Sequence, residues 1–274
     1  MNEKSKPIGL FDSGIGGLTV ARRVMEIMPQ ENTLYFGDSA HVPYGSKSTE
    51  TVRHYTKQAV GFLEKKDVKL IIIACNTASA VALEYASSIA SVPVIGVIEP
   101  GALGAVAATT SQRIGVIGTE GTVRSEAYKD AITEMNTGAT VTSMACPLLV
   151  GFSEEGLVDH PATDLIIHDY LDPLLAQSID TMIMGCTHYP ILEPALARVT
   201  GDSVQLIDPG RETAQFVFDT LCSQDLLNDS ETPPFHLYFL SDFPHKFVEV
   251  GERFLGRKMS HVEKISLESL REVK

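Results

Sequence analysis

Basic residues are scarce in this chain: 22 Lys and Arg stand against 35 Asp and Glu, for a formal net charge of −13 over 274 residues. That balance leaves no basic face for nucleic acid or an anionic membrane. It does not exclude an anionic ligand, since a helix N-terminus binds carboxylates locally. No apolar run reaches the roughly 18 residues a membrane span needs. The lead MNEKSK passes straight into a strand-like stretch, with no apolar region and cleavage site of the secretory kind. A cytoplasmic protein with neither nucleic-acid nor membrane partners is expected. Cysteines are few and dispersed: Cys75, Cys146, Cys186 and Cys222 form no C-x-x-C. This disfavours zinc ribbons, dithiol redox motifs and small disulfide scaffolds, and in a reducing compartment all four are thiols.

What is present is an ordinary globular composition, 44% hydrophobic and 21% charged, at a length that suits one or two domains. Short apolar runs alternate with amphipathic stretches: PIGLFD, a helix from Thr19 to Met28, NTLYFGD, a helix from Val52 to Glu64, LIIIAC, a helix after Asn76, and VPVIGVIEP. The alternation predicts parallel strands with crossover helices, the α/β class. The chain also repeats itself. KPIGLFDSGIGG (Lys6 to Gly17) is matched by QRIGVIGTEGTV, LIIIACNTAS (Leu70 to Ser79) by TMIMGCTHYP, and VIGVIEPG (Val94 to Gly101) by VQLIDPGR. Ile114 follows Ile8 by 106 residues, Cys186 follows Cys75 by 111, and Asp208 follows Glu99 by 109. Three matches in one order predict a duplicated α/β unit, two similar domains facing each other. A strand FHLYFLSD and a helix from Phe247 to Leu255 are expected to complete the first.

Ligands in open α/β sheets bind beyond the carboxyl ends of strands. Cys75 and Cys186 each stand at such an end, where a strand is expected to turn into a helix N-terminus that favours a thiolate. A lone cysteine there reads as a small buried hydrophobe. Two at matching positions of a repeat, trailed by Asn76 and Thr77 or by Thr187 and His188, read as one shared site. Removing a proton from one face of a carbon and returning one to the other face needs an acid/base group on each side, so paired thiols suit racemisation or epimerisation. Cys146 and Cys222 have no counterparts and read as structural. Asp12-Ser13-Gly14-Ile15-Gly16-Gly17 fails as a dinucleotide fingerprint, with Thr19 at the third glycine position and no G-K-[ST] following, although such a turn can hold a carboxylate. Asp12 is a candidate partner for a substrate ammonium or a thiol, or else an N-cap. His188 is placed to assist proton transfer. Cys186 with His188 lacks further ligands at metal-site spacing.

GLFDSGIGGLTV, YFGDSAHVPYG, IIIACNTASA, PLLVGFSEEG and MGCTHYPIL, running from Gly9 to Leu192, together resemble the aspartate/glutamate racemase superfamily and, within it, the glutamate racemases. The resemblance covers nearly the whole chain. It implies two flavodoxin-like domains, residues 1–98 with 209–274 and residues 99–208, with the active site in the cleft between them. It implies that Cys75 takes the α-proton of D-glutamate and Cys186 that of L-glutamate, with neither pyridoxal phosphate nor a metal. It places substrate contacts on Asp12, Ser13, Tyr44, Gly45, Asn76, Thr77, Thr187 and His188. Asp12 and His188 then support the thiols, with Asp38 and Glu154 as carboxylates behind them. A homodimer and a role in supplying D-glutamate for peptidoglycan are implied as well. The lead before Ile8 is short, so regulation through the N-terminal extension by which some members respond to a cell-wall precursor is not expected.

Rival readings are an aspartate or other amino-acid racemase with the same thiols, a non-catalytic cleft-binding protein, and a thiol-redox enzyme. One methylene separates the first from a glutamate enzyme. The last requires a Cys75–Cys186 disulfide during turnover.

Overall fold

The computed structural model describes residues 2–243 and 245–271; Met1, Pro244 and residues 272–274 of the expected first domain lie outside them. The first half runs β1 (Ile8–Asp12), α1 (Leu18–Ile27), β2 (Thr33–Gly37), α2 (Thr49–Lys65), β3 (Leu70–Ile73), α3 (Asn76–Ile89), β4 (Val94–Gly96) and α4 (Ile98–Ala108). The second runs β5 (Arg113–Gly118), α5 (Glu120–Arg124), α6 (Ala127–Met135), β6 (Thr140–Ala145), α7 (Leu148–Glu154), α8 (Pro161–Leu175), β7 (Thr181–Gly185), α9 (Glu193–Thr200) and β8 (Gln205–Ile207). Then come α10 (Pro209–Ser223), β9 (His236–Leu240), α11 (Phe247–Leu255), β10 (Val262–Lys264) and α12 (Leu267–Arg271).

Every strand pairing is parallel, in two sheets ordered β10-β9-β2-β1-β3-β4 and β6-β5-β7-β8. The order β2-β1-β3-β4 recurs as β6-β5-β7-β8, and the register recurs too: Ile8 faces Leu70 as Ile114 faces Thr181. The duplication read from sequence is therefore a duplication of topology, and the chain has the two-domain α/β fold. β9 and β10 extend the first sheet only.

Strands buried on both faces are continuously apolar, and their alternate side chains feed opposite layers. Ile8, Leu10, Leu70 and Ile72 pack against α1, α10 and α11, while Phe11, Ile71 and Ile73 face α2 and α3. In the second sheet Ile114, Val116 and Ile183 face α4 and α6, and Ile117, Met182 and Met184 face α8 and α9.

Helix starts carry their signals. Ser48 caps α2 by accepting from Thr51 N–H, and Asp208 caps α10 by accepting from Gly210 N–H, with Pro209 in the first turn. The Glu99-Pro100-Gly101 and Asp208-Pro209-Gly210 segments are not equivalent residue for residue, as the sequence match suggested. Asp208 precedes its helix, whereas Glu99 already lies inside α4. The Val97 N–H ahead of α4 is taken up by the Ser79 hydroxyl, and Pro100 still falls in a first turn that needs no N–H donor.

Candidate active site

The carboxyl ends of β1 and β3 in one sheet and of β5 and β7 in the other converge on a cavity of about 250 Å³. Cys75 and Cys186 both line it and are both buried. Ser13, Tyr44, Gly45, Asn76, Thr77, Thr187, His188 and Glu154 also reach its wall. One expected contact, Asp12, does not, and Asp38 stands behind the wall as expected. Asp12 is wholly buried behind the Gly-rich turn, and Asp38 lies behind Tyr44.

Cys75 sits immediately before α3, and its thiol donates to the Ser13 hydroxyl at 3.7 Å. Burial, reinforced by the charge of Asp12, pushes this thiol up to about 12, against the opposing hydrogen bonds from Ala78 N–H and Ser13. The Asp12 carboxylate accepts from Gly14 N–H at 2.9 Å and from the Thr187 hydroxyl at 3.5 Å. Its own pKa is raised by burial, with those bonds and His188 opposing.

Cys186 also ends a strand, but no α-helix begins there. Two residues, Thr187 and His188, separate it from the 3₁₀ turn Tyr189–Leu192, and α9 begins only at Glu193. Proline at 190 and again at 194 falls in each first turn, breaking one α-helix into two short pieces. The electrostatic partner of Cys186 is a side chain instead. His188 places Nδ1 3.7 Å from the sulfur and Nε2 3.1 Å from the Glu154 carboxylate. Burial opposes charge on this ring, but the bonds to Cys186 and Glu154 outweigh it and raise the imidazole to about 10. His188 is then an imidazolium with both N–H groups donated. The same contact lowers the Glu154 pKa.

The polar wall is set by contacts across the cleft. The Tyr128 hydroxyl donates to Asn76 Oδ1 at 2.6 Å, and Thr19 Oγ1 donates to the Thr187 carbonyl at 2.8 Å. Tyr44 donates to Asp38 Oδ2 at 2.6 Å, and Ser241 and His41 also bond that carboxylate. Two glycines are required by proximity: a β-carbon at Gly16 would run into Thr187 and His188, and one at Gly45 would meet Thr119 Cβ at 2.7 Å. Gly14 and Ile15 of the Gly-rich turn complete the lining with Thr119, Val150, Val42 and Pro43, of which the last four were not singled out from sequence. A signal existed for Thr119, because the repeat aligns it with Ser13. A second cavity of about 210 Å³ shares Gly14, Ile15, Val42 and Glu154 and continues to Lys246, Phe247 and Val250.

Cys146 is buried beneath this wall and Cys222 is exposed on α10; neither lines the cavity. Among the described residues no group of three or more His, Cys, Asp or Glu is placed to hold a metal ion, and no helix is long and apolar enough to cross a membrane.

Known proteins are similar to this chain in sequence and in fold. The Asp/Glu/Hydantoin racemase family model matches residues 18–217. Glutamate racemase of Geobacter metallireducens is 48% identical, over 97% of this chain and 99% of its own. The crystal structure of glutamate racemase from Francisella tularensis in complex with D-glutamate superposes with a TM-score of 0.91 at 40% identity, covering 97% and 99% of the two chains. An aspartate racemase homologue from Pyrococcus horikoshii, at 16% identity, a TM-score of 0.59 and coverage of 79% and 99%, shares the fold alone. The chain belongs to the Asp/Glu/Hydantoin racemase family, and within it to the glutamate racemases.

Proposed function

We propose that this cleft interconverts L- and D-glutamate by a two-base mechanism in which Cys75 and Cys186 act from opposite faces of the α-carbon, without pyridoxal phosphate. The observation that carries the reading is the placement of both buried thiols, at matching strand ends of a duplicated fold, on one cavity. From L-glutamate, Cys186 as thiolate takes the α-proton and the Cys75 thiol returns one to the other face. From D-glutamate the roles exchange.

The resting cleft is prepared unequally for the two directions. Cys75 holds its proton, while Cys186 has an imidazolium beside it. For Cys75 to work as the base, it must shed that proton against burial and the Asp12 charge. A substrate ammonium in the cavity beside Cys75 offsets both costs. The carbanion has no electron sink, so charge building toward the α-carboxylate must be met by donors fixed beforehand. Ser13, Asn76, Thr77 and Thr187 supply them around a small cavity. Asp12, out of reach of the cavity, acts through Thr187 and the Gly-rich turn.

The domains are taken as residues 1–98 with 209–274 and residues 99–208. This division is supported by α10 packing on the first sheet and α4 on the second. Supply of D-glutamate for peptidoglycan, a cytoplasmic location and a homodimer follow from the family resemblance.

Circular dichroism of D- or L-glutamate with purified protein and no pyridoxal phosphate tests the reading, beside Cys75→Ala and Cys186→Ala. Decay of the optical activity to zero from either enantiomer is expected, with each substitution abolishing that decay. Glutamate left unchanged by the wild type overturns the substrate assignment.

A further inference from the structure

Strand β9 and helix α11 have no counterpart beside the second sheet, so they can support only one side of the cleft. Two α11 side chains reach the Cys186 side. Phe254, fully buried, meets the His188 ring in a T-shaped contact with centroids 5.4 Å apart. Arg253 donates from Nη1 to the carbonyl oxygen of Glu154 at 2.9 Å. Glu154 is the last residue of α7, and a cationic donor there satisfies an orphan carbonyl and complements the negative helix end. The guanidinium also fills the space a β-carbon at Gly156 would need, and Gly156 has a φ of +69°, where a side chain would be strained. The carboxylate nearest Arg253, that of Glu249 on the same helix, stands at 4.0 Å. Lys246, just ahead of α11, faces Glu155 at 3.8 Å.

We propose that Arg253 is a positioning residue for one of the two proton transfers. By holding the end of α7 from the opposite domain, it fixes the Glu154 carboxylate against His188 Nε2, and so sets the imidazolium beside Cys186. The carbonyl it grips and the carboxylate that meets His188 belong to the same residue, so anchoring one confines the other. Cys75 is not in direct contact with this clamp: its supports are Ser13, Ala78 and Asp12, of which only Asp12 is also influenced by His188. The inference rests on the two-thiol reading above.

The test uses Arg253→Ala and Arg253→Lys with unlabelled and α-deuterated D- and L-glutamate in ordinary water. Two enantiomers have equal free energy, so kcat/KM must fall by the same factor from either side. That factor is expected to be on the order of tenfold, less than the roughly hundredfold a misplacement of about 1 Å can cost. The isotope effect on kcat/KM separates the sides. From L-glutamate, cleavage of the C–H bond by Cys186 becomes more limiting and the effect rises. From D-glutamate the slow step becomes protonation by Cys186, which carries solvent hydrogen, and the effect falls. Arg253→Lys keeps the charge without the planar fork and recovers part of the loss. Isotope effects at wild-type values from both enantiomers, with only a lowered thermal midpoint, overturn the proposal. Opposite changes with D and L exchanged support the clamp and overturn the stereochemical assignment of the thiols. A wild type that racemises neither enantiomer overturns the two-thiol reading and the clamp with it.

Discussion

The hydroxyl oxygens of Thr77 and Thr119 lie 2.8 Å apart, although one follows β3 in the first sheet and the other follows β5 in the second. Thr122 joins them at 3.3 and 3.1 Å, and Thr119 caps α5 by accepting from Thr122 N–H. Thr119→Val should therefore remove both a cap and a bond across the cleft, costing about 1–2 kcal/mol of stability and raising KM for glutamate. Thr119→Ser should restore both. Thermal melts and steady-state kinetics on the pair decide it, and an unchanged KM in the valine variant would reduce the cluster to a tie between domains.

His188 predicts a pH dependence of known sign. Its folded pKa of about 10 stands above the ordinary 6.5, so its stabilising contribution is complete below about 6.5 and is lost as pH rises through about 10. Glu154→Gln removes one of the two partners that hold the proton and should move the upper limit downward. Titration of the ring by NMR in wild type and variant measures the shift. A wild-type ring that loses its proton near 6.5 would refute the imidazolium assignment.

Lys69 and Glu31 form an ion pair 2.6 Å long with side chains only 1% and 2% exposed. Lys69 also donates to the carbonyls of Lys4 and Leu226, tying the N-terminal segment to the chain after α10. Lys69→Met strands a buried carboxylate and should cost about 3–5 kcal/mol in urea denaturation. The residue precedes β3, and Cys75 follows its other end, so kcat should stay near wild type. A loss below 1 kcal/mol, as is common for an exposed pair, would contradict the burial argument.

Of the four cysteines, only Cys222 is exposed. Native protein should give one fast-reacting thiol with Ellman's reagent, and Cys222→Ser should abolish that phase while leaving racemisation intact. Rapid modification of Cys75 instead would be at odds with a buried thiol pushed up to about 12.

Much of the architecture was legible because parallel strands buried on both faces announce themselves as apolar runs, and because the chain states its plan twice. The helix from Phe247 to Leu255 matches its predicted span. What escaped was short or partly exposed. β10, three residues with two of them exposed, and α12, five residues long, carry no periodicity to detect. At the site, polar groups after the strand ends were readable, whereas Val42, Pro43 and Val150 line the cavity with no chemical signature of their own. Asp12 was read as a substrate contact, yet it lies one layer behind the cavity, since sequence gives the strand end but not the depth of a side chain; Asp38, read as a carboxylate behind the site, does lie behind Tyr44, while Glu154, read beside it, reaches the wall. The expected helix N-terminus at Cys186 failed for a local reason, the prolines at 190 and 194.

The doubled strand order has a consequence for handedness. A reaction whose two ends are mirror images is served by halves related by rotation, and no rotation of L-residues makes a mirror. Left and right substrates therefore meet different chemistry, a hydroxyl and a helix end at one wall and an imidazolium at the other. Equilibrium ties the ratio of the two kcat/KM values to one, but it places no such tie on turnover at saturation. The protein is free to process one hand faster than the other when full, while still bringing the mixture to equal parts.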